Sequence, residues 1–391
     1  MQFSKYQNAN SLLNLSNQWA LIHFDELLKD VTRTGTKIPS SNYEEVGLYP
    51  VIDQGKELIA GYSNLEKPIE GEKIIFGDHT RVLKYIDLDS FHIGADGVKV
   101  LENKMPEKVS TKYIYYYLSF IKIPNTGYNR HFKYLKEIVI PVPSFVMQLK
   151  LVELFDHVGK IIIKRQSQIS SLDELTQSVF IEMFQDNKDS SKVSIEQVVD
   201  SIEAGWSVSG EERAKKEKEI AVLKISAVTK GYFNDKEYKV LNPNIEIKKA
   251  VYPQKGDILF SRANTRELVG ASAIVPKDYR DLILPDKLWK INLRKEIITS
   301  EYFHTAINTK KVRNKFSKNA TGTSGSMLNI SMQKFKGVEI NLPSIEKQKL
   351  FSKKFIQIQQ MKQNLISSQE EVNVLYNSLL QKAFKGELFQ Q

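Results

Sequence analysis

The sequence predicts an α+β fold: two β-rich α/β modules separated by two long helices, which form an intramolecular antiparallel coiled coil, so that the halves are related by a pseudo-two-fold. Three observations predict it. A segment that begins at Lys136 recurs at Lys336, and the stretch after each copy repeats apolar residues in steps of four and three. The segments before the copies are rich in β-forming residues and are interrupted by Gly, Pro, Asn and Asp.

The repeat is the strongest of these observations. KEIVIPVPS at Lys136 matches KGVEINLPS at Lys336, an offset of 336 − 136 = 200 residues, and the offset continues without a gap through the helices that follow. Identical residues at this offset include Lys136/Lys336, Ile140/Ile340, Pro143/Pro343, Ser144/Ser344, Gln148/Gln348, Phe155/Phe355 and Phe184/Phe384. A duplicated module is the simplest explanation.

Each copy predicts a strand that ends at a Pro-Ser pair and a helix that begins there. Proline stops the strand, and Ser144 and Ser344 are suitable N-cap residues. Polar residues interrupt the apolar seam at different places in the two helices: Lys362 and Gln369 correspond to Ile162 and Ile169, and Arg165 corresponds to Leu365. Because such residues fix register, we expect the two helices to pair with each other. The alternative is that they are two ordinary amphipathic helices that cover separate cores.

Charge favours a polyanionic partner. The formal net charge at pH 7 is +10. Residues 192–340 hold 27 Lys and Arg against 18 Asp and Glu, a balance of +9, whereas residues 20–140 hold 16 against 17, a balance of −1. A basic surplus raises the local concentration of polyanions such as DNA.

Composition also predicts a cytoplasmic protein. The sequence has no apolar run of about 18 residues, which a membrane helix needs. Its N-terminal segment lacks the unbroken apolar core of a secretory signal. The absence of cysteine removes disulfides, thiolate nucleophiles and cysteine-based zinc sites.

No motif predicts a catalytic, cofactor or metal site in this chain. The sequence has no phosphate-binding glycine loop, no dinucleotide fingerprint and no methyltransferase tetrapeptide, and its histidines lack metal-ligand spacing. Asp78 and His79 form the one pair that suggests chemistry. A hydrogen-bonded structural turn or a DNA contact is the more common role for such a pair.

Several segments together resemble the specificity subunit of a Type I restriction–modification system. They are the two helix starts, LLQKAFKGEL (Leu379–Leu388), GDILFSRANTRELVG (Gly256–Gly270), and IIFGDHTRVLKYID with FHIGADGVKVL in the first module. The resemblance implies an N-terminal helical extension at 1–19, target-recognition domains at 20–143 and 192–343, and spacer helices at 144–191 and 344–391. It also implies that this chain is not an enzyme.

The resemblance further implies the partners. They are double-stranded DNA, two methyltransferase subunits that carry S-adenosylmethionine, and ATP-dependent restriction subunits with Mg²⁺; none of these cofactors is expected in this chain. Two different modules suit an asymmetric bipartite site. A helix of roughly 36 residues is about 54 Å long, so the helices would act as a ruler that sets the half-sites about one DNA turn apart.

DNA contacts are expected from side chains that reach phosphates and base edges. In the second module Arg262 and Arg266 suit guanine, Asn264 suits adenine, and a basic run followed by a Thr- and Ser-rich stretch suits phosphates. The full set of expected contact residues is His79, Thr80, Arg81, Lys84, Asn125, Tyr128, Asn129, Arg130, Lys133, Arg262, Asn264, Thr265, Arg266, Lys310, Lys311, Arg313, Lys315, Lys318, Thr321, Thr323 and Ser324.

Three alternatives remain open at the level of sequence. The chain could be the recognition subunit of a related Type II-like system, which only its partners would distinguish. It could be a coiled-coil scaffold whose basic module is incidental. A nuclease without recognisable motifs is the third, and the missing motifs argue against it.

Overall fold

The structure, a computed structural model, describes residues 19–127, 129–185, 190–322 and 327–389. It divides into two compact units. Unit 1 comprises Met1–Gln166 and Ser367–Gln391 as far as they are described, and unit 2 is Ser167–Ile366. Apart from Trp19, the predicted N-terminal extension lies outside the described residues. The predicted domain boundaries stay predictions.

Unit 1 begins with short strands and ends in a long helix. Its elements, in chain order, are β1 (Ala20–His23), α1 (Phe24–Leu27), β2 (Leu28–Asp30), β3 (Lys37–Ile38), β4 (Tyr49–Ile52), β5 (Gly61–Ser63), β6 (Ile69–Glu70), β7 (Lys73–Gly77), β8 (Leu83–Ile86), β9 (Ser90–Gly94), β10 (Val98–Asn103), α2 (Thr111–Phe120), α3 (Phe132–Leu135), β11 (Val139–Val142) and α4 (Phe145–Phe184), whose second half belongs to unit 2.

Unit 2 follows the same plan. Its elements are β12 (Ser191–Ser194), α5 (Ile195–Val198), β13 (Val199–Ala204), β14 (Ala221–Leu223), β15 (Tyr238–Val240), β16 (Ile258–Ser261), β17 (Ala263–Asn264), β18 (Ser272–Ile274), β19 (Leu282–Ile283), β20 (Leu288–Leu293), α6 (Ser300–Asn308), α7 (Lys310–Asn319), β21 (Leu328–Asn329), α8 (Met332–Lys336), β22 (Glu339–Leu342) and α9 (Ile345–Phe384), whose second half belongs to unit 1.

The two units share one sheet topology. A four-stranded antiparallel sheet has the order β2-β10-β7-β8 in unit 1 and β13-β20-β16-β18 in unit 2. In each unit the first strand pairs with the strand before a long helix, β1 with β11 and β12 with β22. A second sheet completes each module: it has five strands in unit 1, in the order β3-β9-β4-β5 with β6 also paired to β9, and three strands in unit 2, in the order β15-β14-β19. The common order confirms the predicted duplication.

Alternation of side chains along the central strands divides each core into two layers. Ile74 and Phe76 of β7 pack in the cluster that includes α2, α3 and α4, whereas Ile75 between them packs toward the second sheet. Strand β16 follows the same rule, with Phe260 on the helical side and Leu259 on the sheet side. Each such side chain contributes about 1.5–3 kcal/mol by burial.

A buried glutamine joins each long helix to its module. In unit 1 Gln148 accepts from the Ser110 N–H at 2.8 Å and donates to the Lys108 and Pro143 carbonyls at 3.1 and 2.9 Å. In unit 2 the partners of Gln348 are the Thr299 N–H at 3.0 Å and the carbonyls of Ile297 at 3.0 Å and Pro343 at 2.9 Å. Both glutamines are fully buried, so each satisfies three backbone groups away from water.

Both long helices begin directly after the predicted serines, and each is 40 residues long. Segments of the two helices pack together within each unit. In unit 1 Phe155 lies 6.1 Å from Tyr376 between ring centroids. In unit 2 Phe180 lies 5.4 Å from Phe351, and the seam residue Lys362 donates to Asp173 at 2.5 Å. The partner number falls as the residue number rises, so these segments of unit 2 are antiparallel. Coiled-coil packing along the whole length stays a prediction.

Candidate nucleic-acid interface

The residue after the central strand occupies the same backbone position in both modules. Asp78 follows β7; its N–H donates to the Gly97 carbonyl at 2.6 Å, and its carbonyl accepts from the His131 N–H at 2.9 Å. Arg262 follows β16; its N–H donates to Lys287 at 3.1 Å, and its carbonyl accepts from Ile330 at 2.8 Å. The expected contact loops therefore start from equivalent points of the fold.

In unit 2 the hairpin loop after Arg262 lies against the basic helix α7. Ser317 Oγ donates to the Arg266 carbonyl at 3.1 Å, and Arg313 Nη2 donates to the Glu267 carbonyl at 2.8 Å. Gly270 closes the loop with φ +80°, and a Cβ there would lie 2.9 Å from Arg313 Nη1. The two segments that were expected to contact DNA are thus neighbours.

Strand pairing adds a third segment to this surface. Strand β17, which contains Asn264, pairs with β21, and Thr321 forms a bridge with Asn329 of β21. Thr265 and Asn264 are half-buried, and Arg266 is exposed. We call the surface formed by Arg262–Arg266, Lys318 and Thr321 the loop–helix surface. The expected contact residues Thr323 and Ser324 lie outside the described residues.

The Arg262 guanidinium is held at the edge of this surface by Asp286. Its Nε donates to the Asp286 carbonyl at 3.0 Å, and its Nη2 lies 3.4 Å from Asp286 Oδ2. Asp286 was not expected to have a role. GADGVKVL of the first module can be aligned with LPDKLWKINL of the second, and the match of Asp96 to Asp286 in this alignment is a signal that could have found Asp286. The bonds to Asp286 orient the guanidinium.

The basic helix does not present all of its cations in one way. Lys310, Lys311 and Lys318 are exposed, whereas Lys315 donates to the Glu339 carbonyl at 3.2 Å. Arg313 differs most from the expectation, because desolvation by burial lowers the pKa of its guanidinium and it braces the loop. Arg313 therefore supports the surface more than it extends from it.

Unit 1 brings its expected contact segments together in the same manner. Arg81 has φ 63° and its Nη1 donates to the Ile123 carbonyl at 3.3 Å, which joins the hairpin loop to residues 121–131. Thr80 Oγ1 donates to the Gln54 carbonyl at 2.7 Å, and His79 is half-buried. The hairpin loop is therefore braced by two bonds to distant parts of the module.

The other expected contacts of unit 1 lie between residues 125 and 133. Asn125 accepts from the Gly127 N–H at 3.2 Å, and the Asn129 side-chain amide donates to the Thr126 carbonyl. Arg130 is exposed, and Lys133 Nζ lies 5.1 Å from the centroid of the Tyr134 ring. Tyr128 lies outside the described residues.

Lys84 requires a correction. It was expected to contact DNA, but its residue is only 5% exposed. Its ammonium donates to the Asp53 and Glu57 carbonyls, at 2.8 and 2.5 Å, and lies 3.5 Å from the Asp53 carboxylate. Desolvation by burial lowers the pKa of this amine, against the raising effect of Asp53 and Glu57. An ammonium enclosed by internal acceptors does not reach a phosphate.

Asp78 serves a structural turn. It is 4% exposed, and its Oδ1 accepts from the Phe132 N–H at 2.8 Å. The neighbouring segment is held by fully buried His131, whose Nδ1 lies 2.9 Å from the Asp78 carbonyl.

Within the described ranges, no cluster of three or more His, Asp and Glu could hold a metal ion. No described helix is long and apolar enough to cross a membrane. The loop–helix surface of unit 2 offers hydrogen-bond donors and positive charge.

A family model described as the Type I restriction modification DNA specificity domain matches residues 18–171 and 187–377. The specificity subunit of the Type I restriction enzyme EcoEI of Escherichia coli is 28% identical over 151 residues, 38% of this chain and 25% of that protein. The EcoKI specificity subunit of E. coli strain K12 is 28% identical over 176 residues, 44% of this chain and 38% of that protein. The chain thus spans a quarter to two fifths of these relatives. The S subunit of a Type I restriction–modification system from M. genitalium has a TM-score of 0.56, covers 98% of this chain and 99% of its own, and is 16% identical, which shows the fold.

Proposed function

The chain belongs to the family of Type I restriction modification DNA specificity domains, and from this we propose that it is the DNA-recognition subunit of a Type I restriction–modification complex. It reads a bipartite, asymmetric site in double-stranded DNA and directs methyltransferase and restriction subunits to it. The observation that carries the proposal is the duplicated module, in which each copy joins a hairpin loop to a polar or basic segment. Equivalent frameworks with different side chains suit two different half-sites.

The loop–helix surface supplies the chemistry of recognition. Arg262 and Arg266 suit bidentate bonds to guanine, and Asn264 suits adenine. Exposed lysines of α7 neutralise phosphates, which gives affinity without sequence preference. In unit 1 His79, Thr80, Arg81 and the loop at 121–131 take the corresponding place, without Lys84. The recognition function needs no catalytic group in this chain.

Two copies of a methyltransferase subunit fit the long helices. Equivalent positions of α4 and α9 expose apolar side chains: Ile161 is 47% and Met361 58% exposed, and Leu175 is 44% and Leu375 55% exposed. Exposed apolar residues that recur at the repeat offset suit two copies of one partner, because each copy would meet the same pattern. S-adenosylmethionine, ATP and Mg²⁺ belong to the partners. The complex acts on DNA in the cytoplasm.

Methylation mapping tests the proposal. Cells that carry the chain with its methyltransferase subunit should methylate one asymmetric site with two defined half-sites and a fixed gap. Cells that carry the methyltransferase without the chain are the control and should show no such site. A scaffold whose basic module is incidental would leave methylation unchanged when the chain is removed, and that result would exclude the proposed function.

A further inference from the structure

Unit 2 contains a groove of about 620 Å³ between the end of α4, helices α6 and α7, and strands β12 and β22. Its floor is aromatic, because buried Phe180, Phe184 and Tyr302 line it. The lysines that line the groove are Lys192, Lys310, Lys311 and Lys315. Among the described lining residues, Glu339 is the one carboxylate that opposes them. The groove combines the size of a ligand site with positive charge.

The duplication shows which positions of helix α2 in unit 1 correspond to positions of helix α6, which borders the groove in unit 2. Helices α2 and α6 each begin after a side-chain cap, Ser110 and Thr299. The third residue of each helix is a buried tyrosine whose hydroxyl bonds to the strand before a long helix: Tyr113 to Pro141 at 2.5 Å and Tyr302 to Asn341 at 2.7 Å. Counting from these tyrosines, position 117 corresponds to 306 and position 120 to 309.

Unit 1 fills the corresponding space with its own aromatic rings. The rings of Tyr117 and Phe120 lie 5.0 and 5.3 Å from the ring of Phe384, between centroids. In unit 2 the corresponding residues are small, Ala306 and Thr309, and both line the groove beside Phe184, the repeat partner of Phe384. The groove therefore includes the space of the Tyr117 ring, for which unit 2 supplies only the small side chain of Ala306.

We propose that this groove receives an aromatic side chain flanked by carboxylates from one methyltransferase subunit, an inference that rests on the proposed function. The aromatic group follows from what occupies the same space in unit 1, where ring packing on phenylalanine is favourable. The carboxylates follow from four lysines against one glutamate. Because Tyr117 and Phe120 occupy this space in unit 1, the two methyltransferase copies bind unequally, and the copy at unit 2 has the extra contact.

Filling the groove tests the inference without removing any lysine. The full-length variant Ala306→Tyr installs the tyrosine of unit 1 and keeps Thr309, whose side chain caps α7. The purified methyltransferase subunit is titrated onto the chain, and native mass spectrometry counts the copies bound. We expect the wild type to bind two copies, and the variant to bind one copy normally and the other at least tenfold more weakly. Binding to duplex DNA should stay within twofold of the wild type.

A second variant protects the test against misfolding of the first. Lys192→Glu reverses an exposed charge of the groove that is not part of the loop–helix surface, and it should weaken the same methyltransferase copy. Ala214→Tyr, at an exposed alanine outside the groove, is the matched control and should bind two copies.

The outcomes separate this inference from the proposed function. If both groove variants bind two copies of the methyltransferase subunit with wild-type affinity, the inference about the groove is overturned and the proposed recognition function stays intact. Loss of DNA affinity with unchanged methyltransferase binding would also overturn it, because DNA would then be the occupant. A wild-type chain that binds no methyltransferase at all would overturn the proposed function and the groove together.

Discussion

At the residue scale, Asp78 and Arg262 show that one backbone position can serve two purposes. Both residues follow the central strand and make the same two kinds of backbone bond. The Asp78 carboxylate is used inside the fold by Phe132, whereas the Arg262 side chain extends to Asp286. The framework fixes the backbone and leaves the side chain to vary. Contact residues therefore cannot be transferred between the copies by equivalence alone.

Replacing Arg262 should affect the reading of one half-site. We expect Arg262→Ala to reduce discrimination at one base pair by about 1–3 kcal/mol, because a bidentate guanidinium–guanine pair is lost. Competition binding with duplexes that carry single base changes measures the effect. Lys318→Ala, at an exposed lysine of the loop–helix surface, is the contrasting variant; it should weaken binding to every duplex and reduce the salt slope by about one. Equal effects of Arg262→Ala on both half-sites would contradict the assignment.

His304 should make unit 2 sensitive to acid. Burial lowers the pKa of its imidazole to about 4, from an ordinary value of about 6.5. Between these values the unfolded chain binds a proton that the folded chain does not. Stability is therefore complete above pH ~6.5 and falls toward pH ~4, by up to about 3 kcal/mol.

Urea unfolding at a series of pH values, compared between wild type and His304→Gln, measures this loss of stability at low pH. The difference in unfolding free energy between the two should shrink as the pH falls through that window. His157→Gln, on the exposed face of α4, is the matched control and should run parallel to the wild type. A constant difference between wild type and His304→Gln from pH 7 to pH 4 would count against a neutral buried imidazole.

Residues 78–84 show how far sequence alone predicts the site. The turn at Asp78–Arg81 could be predicted from the sequence, because GDHTR follows a β-rich run; its contact with DNA stays a prediction. The burial of Lys84 could not be predicted, since its partners Asp53 and Glu57 belong to the loop between β4 and β5 and lie about thirty residues earlier. Whether a lysine is exposed depends on such distant contacts, which the pattern of apolar residues along the sequence does not predict.

At the scale of elements, the repeat predicted the long helices better than it predicted the modules. Ser144 and Ser344 precede helices at the expected residues, since proline and serine fix the boundary locally. The sequence was interpreted as β-rich between them, and helices α2, α6 and α7 were not recognised. Their apolar residues are aromatic and β-branched, as in YIYYYL of α2, and this composition is also typical of strands. Capping by Ser110 and Thr299 decided the local structure.

The glutamine that joins each long helix to its module should be a major source of stability. We expect Gln348→Ala to lower the free energy of unfolding by about 2–4 kcal/mol, because buried backbone groups lose their hydrogen-bond partners. Gln148→Ala should have an effect of the same size, since its three bonds are equivalent. Calorimetry measures both. Gln360→Ala, on the exposed face of α9, is the control and should change little. A neutral result for both buried glutamines would contradict the role given to them.

At the scale of the whole molecule, each unit is built from two separate parts of the chain. Unit 1 combines its module with the last turns of α9, and unit 2 combines its module with the second half of α4. Phe384 packs on Tyr113 and Tyr117 in one unit, and Phe184 packs on Tyr302 in the other. Neither module would bury its aromatic core without a helix that begins in the other half of the sequence. Each unit therefore contains residues from both halves of the sequence.

The length of the long helices should set the gap between half-sites. Each helix has 40 residues and is about 60 Å long. Removing one heptad from each helix at facing positions keeps the apolar seam in phase and shortens each helix by about 10 Å. This length corresponds to about three base pairs of DNA. We expect methylation mapping to return the same two half-sites with a shorter gap. A variant that lacks the heptad in one helix is the control, and it should lose activity because the seam no longer matches. An unchanged gap in the paired deletion would show that the helices do not measure the site.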